Sequence, residues 1–227
     1  MPCLDDKGFR YKGSGIRHDV NMNLKQHRQY FINKLTPIYD AGEAESFFYI
    51  TLEELKGWKR IDLALNPDAE LTQEELEKWN DVLEQLQQYK PVQYIFGHTF
   101  FYGLDLEINE NTLIPRPETE ELVEWVLNDN RSKDAVKILD IGTGSGCIAI
   151  ALAKNLPNAE VHAIDVSAGA LAVAKKNAER NVASVTFHQT DILQAKTLPA
   201  AYDVIVSNPP YVRDLEKEEI KKNVLDY

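Results

Sequence analysis

Apolar and polar positions divide the chain into stretches of different period. From Leu24 the apolar residues Leu24, Phe31, Leu35 and Ile38 recur at spacings of seven, four and three, which predicts one buried helix face that Gly42 should close. Thr51 with Glu54, and Thr72 with Glu75, have the Thr-x-x-Glu spacing of a capping box, in which each side chain serves the other residue's free backbone N–H. Leu76, Trp79, Leu83, Leu86 and Tyr89 then repeat at three and four. Residues 22–90 therefore predict a small helical bundle, with Asn66-Pro67-Asp68 as a loop. Ahead of it, residues 1–21 are polar and without apolar period, and read as a disordered extension, either an expression remnant or an upstream translated segment.

After Pro91 the period changes. Gln93 to Phe101 and Leu104 to Ile108 are rich in aromatic and β-branched residues and part at Tyr102-Gly103, which predicts a hairpin; residues 91–113 read as a linker built around it. Leu113-Ile114-Pro115-Arg116-Pro117 leads into a helical stretch, Glu118 to Leu127, whose acidic first turn suits the positive end of a helix dipole. From Val136 strands and helices alternate, with strands at 136–141, 160–165, 184–189 and 202–207 and helices at 147–156 and 168–180. Residues 114–227 thus predict an α/β fold with a parallel, Rossmann-like sheet. Ligands of such sheets bind beyond the carboxyl ends of the strands, so the residues that follow each strand carry the chemistry.

Composition narrows the classes. A length of 227 residues with 44% hydrophobic content suffices for one large domain or two small ones. The formal net charge of -11 argues against a broad face for polyanions, and no direct nucleic-acid partner is expected. No apolar run approaches the roughly 18 residues that span a bilayer, and the start of the chain has no apolar signal core, so a cytoplasmic protein without a membrane partner is expected. The two cysteines, Cys3 and Cys147, suggest neither a disulfide framework nor a zinc site, and the five histidines have no ligand-like spacing. No metal is expected.

Two motifs stand at strand ends. Asp140-Ile141-Gly142-Thr143-Gly144-Ser145-Gly146 joins the first strand of the sheet to a helix, and its glycines allow a sharp turn and close approach to a ligand. The dinucleotide fingerprint is Gly-x-Gly-x-x-Gly, whereas this loop reads Gly142-x-Gly144-x-Gly146 behind an Asp. The second motif is Asn208-Pro209-Pro210-Tyr211. Asn208 and Pro209 each precede a proline and are biased to extended conformations, so the Asn208 side-chain oxygen and the Pro209 carbonyl form two acceptors suited to one planar NH2 group, an amide or an aromatic amine. A plain strand-ending turn accounts for the same residues.

The glycine loop resembles motif I of class I S-adenosylmethionine-dependent methyltransferases, in which it passes under the methionine and ribose of the cofactor. Asp165, ending the second strand, is then placed to accept the ribose hydroxyls, and Asp191-Ile192, after the third, resembles the position that holds the adenine. Asn208 to Tyr211 would face the methyl group, with Tyr211 walling the pocket. Together with Pro91-Val92-Gln93-Tyr94-Ile95-Phe96-Gly97 and Ile114-Pro115-Arg116-Pro117-Glu118-Thr119-Glu120, these motifs resemble the peptide-chain release factor glutamine methyltransferase family, the PrmC/HemK type, from about Met22 to Tyr227. The resemblance implies a class I release factor as protein partner, methylated on the glutamine amide of its Gly-Gly-Gln loop, with the helical region as its docking domain. It also implies that Ile114 to Glu120 lies over the cofactor pocket, which makes Arg116 and Glu118 further candidates. Members of the family continue through a fifth strand and an antiparallel pair, so the sheet here is expected to be incomplete at its C-terminal strands, with Val204 and Val206 on an uncovered edge.

Rival readings make different use of the same residues. A nucleic-acid amino-methyltransferase also needs a clamp for a planar NH2, but usually adds a basic target-recognition region that this chain lacks. A non-catalytic release-factor-binding protein would keep the helical region and lose cofactor binding. An NAD-binding domain conflicts with the glycine spacing and leaves Asn208 to Tyr211 unexplained.

Overall fold

Asn23 opens the first helix with a capping box of its own: its side chain accepts the Gln26 N–H, and the Gln26 side chain accepts the Asn23 N–H. Helix α1 (Leu24–Leu35) follows in the computed structural model, which describes residues 23–209. The expected extension over residues 1–21, together with Met22, Pro210 and Tyr211, lies outside the described residues. Pro37 has no N–H to continue the helix, so α1 stops short of Ile38. Tyr39 takes the buried place instead, and its hydroxyl donates to the Leu86 carbonyl at 2.8 Å. Gly42 closes nothing. It lies in the first turn of α2 (Ala41–Lys56), whose N-cap is Asp40, and α2 ends at Gly57 in the left-handed conformation.

The two Thr-x-x-Glu spacings separate in the structure. Thr72 forms the expected capping box with Glu75 ahead of α4 (Gln73–Gln87). Thr51 is buried inside α2, and its hydroxyl donates to the Phe47 carbonyl one turn back at 2.8 Å. A cap needs free N–H groups ahead of it, and in mid-helix none are free. Between α2 and α4 lie the short α3 (Arg60–Leu65) and the Asn66 to Asp68 loop. Trp79 meets Phe31 edge-on at 5.6 Å and Phe48 at 5.0 Å, so one fully buried indole joins α1, α2 and α4.

This helical unit ends at Gln88 and a second begins at Tyr89. Tyr89 has a φ of 65° and leaves the helical pattern that its spacing suggested. Residues 93–96, expected as strand, belong instead to a single helical turn, α5 (Val92–Phe96), because Pro91 starts it and Gly97, at a φ of 75°, stops it. The hairpin is confined to β1 (His98–Phe101) and β2 (Leu104–Glu107), antiparallel through a two-residue turn at Tyr102-Gly103 in which both residues have positive φ. Phe101, Leu104 and Leu106 enter the core of the second unit.

The remaining elements are α6 (Glu118–Asn130), β3 (Val136–Ile141), α7 (Cys147–Asn155), β4 (Ala159–Asp165), α8 (Ala168–Arg180), β5 (Thr186–Gln189) and β6 (Val204–Ser207). The strands form a parallel sheet in the order β5-β4-β3-β6. The chain runs outward from β3 through β4 to β5, then returns to the other side of β3, so the order reverses between β3 and β6. Crevices at such reversals are where open α/β sheets bind ligands. On β6 the exposed apolar residue is Ile205, at 54%, and not Val204 or Val206. Alternation points both valines into the core, where Val206 is buried and Val204 packs against it. No helix among the described residues is long and apolar enough to cross a membrane.

Loss of the Thr72 hydroxyl leaves one orphan N–H on α4. Thr72→Ala should therefore lower the urea-unfolding stability by about 1 kcal/mol while Thr72→Ser preserves it; equal stabilities for all three proteins would show that the cap contributes nothing.

Candidate active site

Strand register assembles the site. Ile141 pairs with Ile164 on one side and with Ser207 on the other, so Gly142, Asp165 and Asn208 leave three adjacent strands at one level. The loop after β3 is tied to the end of β4: the Gly142 and Thr143 N–H groups both donate to the Ile164 carbonyl, at 2.9 and 3.1 Å. The Gly144 N–H donates to Asp165 Oδ2 at 2.9 Å, and Asp165 Oδ1 accepts the Ser167 N–H at 2.9 Å. Ser145 is buried, and its carbonyl accepts from the Asn177 amide at 2.9 Å.

The three loop glycines serve two purposes. Gly142, Gly144 and Gly146 have φ of 72°, 55° and 83°, which disfavours any side chain. At Gly142 and Gly144 a Cβ would meet nothing within 4 Å, so the backbone there borders open space that a ligand can occupy. At Gly146 a Cβ would stand 3.1 Å from the Ala174 Cβ, so this glycine serves the approach of α7 to α8.

Asp140 is 1% exposed, and its Oδ2 accepts the Thr143 hydroxyl at 2.6 Å. Burial pushes its carboxyl from 3.8 up to about 6, with Thr143 and the Ala149 N–H opposing and the Asp165 charge adding to the rise. Burial and the nearby Asp140 also push the Cys147 thiol up to about 12, which leaves it protonated and unreactive.

After β5, Asp191 turns its carboxylate to its own loop, accepting the Leu193 N–H at 2.9 Å and the Gln194 side chain at 2.7 Å; Ile192 is partly exposed beside it. After β6, the Ser207 hydroxyl donates to the Ile141 carbonyl at 2.8 Å, and the half-buried Asn208 donates its Nδ2 to the Thr119 hydroxyl at 2.8 Å. Pro209 is exposed. Arg116 and Glu118, the candidates from the proline-rich segment, are also exposed. The residue of that segment that reaches a strand end is Thr119. Its signal in the sequence is slight: it stands four residues before Val123 on the buried face of α6, where a hydroxyl needs a partner. Asn177 was equally hidden, though its side chain joins Glu107 of β2 to the glycine loop. Among the described residues no cluster of His, Cys, Asp or Glu could hold a metal ion.

Asp140 sets a pH dependence whose sign follows from its raised pKa. A carboxyl that titrates higher in the folded chain contributes stability below about 3.8 that is lost as pH rises through about 6. The stability of Asp140→Asn relative to the unsubstituted protein should therefore rise between pH 4 and 7, by on the order of 3 kcal/mol, in urea titrations. A difference that does not vary with pH would contradict the burial of an ionisable group here.

Sequence comparison gives the same architecture a family. The Methyltransferase small domain matches residues 119–226 and the PrmC N-terminal domain matches residues 28–97. The release factor glutamine methyltransferase of Flavobacterium psychrophilum is 58% identical over 209 residues, which cover 91% of this chain and 73% of that protein. The enzyme of the same name from Bacteroides thetaiotaomicron is 42% identical over 87% of this chain and 71% of its own length. That from Streptococcus pneumoniae is 41% identical over 90% of this chain and 71% of its own length. With the strand order, the glycine loop and both matched regions in agreement, the chain belongs to the release factor glutamine methyltransferase family, S-adenosylmethionine-dependent enzymes of the class I α/β fold.

Proposed function

We propose that this chain transfers the methyl group of S-adenosylmethionine to the side-chain amide nitrogen of the glutamine in the Gly-Gly-Gln loop of a class I peptide-chain release factor in the cytoplasm. The observation that carries the reading is Asn208: it leaves β6 at the level of Gly142, and its NH2 is already given to Thr119, which frees Oδ1 to accept. The names of the relatives supply the substrate class.

The residues present suit the cofactor. Open space borders Gly142 and Gly144, and Asp165, with both oxygens fixed by backbone N–H groups, keeps lone pairs for two ribose hydroxyls. In this assignment Asp140, Thr143, Ser145 and Gly146 hold the loop's shape, and Asp191 with Ile192 borders the adenine. When bound, S-adenosylmethionine supplies a methyl group on a positively charged sulfur.

The chain's own residues address the weakness of the acceptor. A glutamine amide nitrogen is a poor nucleophile because its lone pair is delocalised into the carbonyl. Asn208 Oδ1 and the Pro209 carbonyl, gripping both N–H bonds, favour pyramidalisation and aim the lone pair, so orientation supplies much of the rate. As positive charge develops on nitrogen those acceptors strengthen their hold. The proton can leave after transfer, so no strong base is required. Pro210 and Tyr211, the rest of the motif, lie outside the described residues. Arg116 and Glu118, both exposed, would meet substrate at the rim, and the helical domain, residues 22–90, would dock the release factor. Residues 91–113 would then be the linker, and 114–227 the methyltransferase domain.

Incubation with labelled S-adenosylmethionine and a release factor should place the label on the Gly-Gly-Gln glutamine by mass spectrometry. Equal labelling of a substrate in which that glutamine is replaced would sink the assignment. Asn208→Ala should lower the transfer rate by about 100-fold or more with cofactor affinity within about twofold. Asp165→Ala should instead raise the cofactor Kd by about tenfold or more, and an unchanged Kd would remove Asp165 from the ribose site.

A further inference from the structure

We propose that Thr119 is a positioning residue whose oxygen supports the Asn208 amide in the orientation that presents its oxygen to the substrate. The inference rests on the reading of Asn208 as the acceptor for the substrate NH2. A primary amide is two-faced: half a turn about its last bond exchanges an acceptor for a donor at the same place. With its NH2 toward the pocket, Asn208 would set a donor against the two donors of a glutamine amide, and the grip would become a repulsion. Productive binding therefore depends on which way one nearly symmetric group lies.

Thr119 Oγ1 lies 2.8 Å from Asn208 Nδ2 and comes from α6, 89 residues earlier in the chain. Thr119 is 6% exposed, so water has little access to the hydroxyl. Its place is fixed by the first turn of α6, where its N–H donates to the Arg116 carbonyl at 3.0 Å, and by the buried face it shares with Val123 and Leu127. A hydroxyl can donate as well as accept, so the Thr119–Asn208 pair by itself tolerates either amide orientation. The substrate breaks the tie. With Oδ1 outward, the substrate donates to Asn208 and Asn208 donates to Thr119, so both ends of the amide are used. Without the Thr119 oxygen, that orientation leaves an unpaired N–H against the buried face of α6. The amide then gains by turning its NH2 to the open pocket, the arrangement that opposes the substrate.

The role is read by comparing Thr119→Val, Thr119→Ser and Asn208→Ala with the unsubstituted chain in steady-state methyl transfer to a release factor, alongside cofactor affinity and thermal unfolding. Thr119→Val should lower kcat about tenfold or more with cofactor Kd within about twofold, and Thr119→Ser, which keeps the oxygen, should stay within about threefold of the original rate. If Asn208→Ala is inactive but Thr119→Val turns over normally, the positioning role is wrong and the reading of Asn208 stands. If Asn208→Ala itself is fully active, both fall. Equal losses in Thr119→Val and Thr119→Ser would make the effect one of packing and overturn the proposal, as would a parallel loss of cofactor affinity. Should Thr119→Val not fold, Thr119→Ala removes the same oxygen without a second methyl group and is judged by the same readouts.

Discussion

One buried amide joins a helix, the hairpin and the glycine loop. Asn177, on α8, accepts the Glu107 N–H with its oxygen and donates to the carbonyls of Glu107 and Ser145. Toward β2 it acts as a neighbouring strand would, satisfying both backbone groups of one residue. Toward the loop it fixes the carbonyl just ahead of Gly146. Asn177 is fully buried, so a side chain without its polar atoms would leave these backbone groups unpaired, at about 1 to 3 kcal/mol each. Asn181, one turn on, donates to the Asp105 carbonyl, and the Lys176–Glu107 and Arg180–Asp105 ion pairs lie outside it. The outer edge of the hairpin is thus covered by a helix, one of the ways a strand edge is kept from pairing elsewhere. The shape of the glycine loop depends on that docking.

What the sequence made legible was local. The heptad-like spacing along α4, the Thr72 cap, the alternation of strands and helices after Val136 and the positive-φ glycines each follow from residues a few positions apart. Errors arose where one residue type serves two local ends. Threonine caps one helix at Thr72 and back-bonds inside another at Thr51, and Gly42 sits within a first turn where a stop was expected. Hidden altogether were the contacts that close the site across the fold: Asn208 with Thr119, 89 residues apart, and Asn177 with Glu107, 70 apart. No period or spacing encodes these pairings. They exist because β3 carries β4 and β6 at one register and α6 and α8 pack beside them.

The choice of cofactor class also gains a physical reason beyond glycine spacing. A pyrophosphate is held by backbone N–H groups pointing out of a glycine loop toward the anion. Here the Gly142 and Thr143 N–H groups are given to the Ile164 carbonyl, the Gly144 N–H to Asp165 and the Gly146 N–H to the Thr143 carbonyl. These loop donors are turned inward, and the side chain they meet at the end of β4 is an acceptor, the Asp165 carboxylate. A carboxylate beside a loop whose N–H groups are used internally suits ribose hydroxyls and a positive charge better than a bridging diphosphate. A cationic methyl donor that carries a ribose has those properties. Because both Asp165 oxygens are held by backbone N–H groups before any ligand arrives, part of the ordering that recognition requires is done in folding.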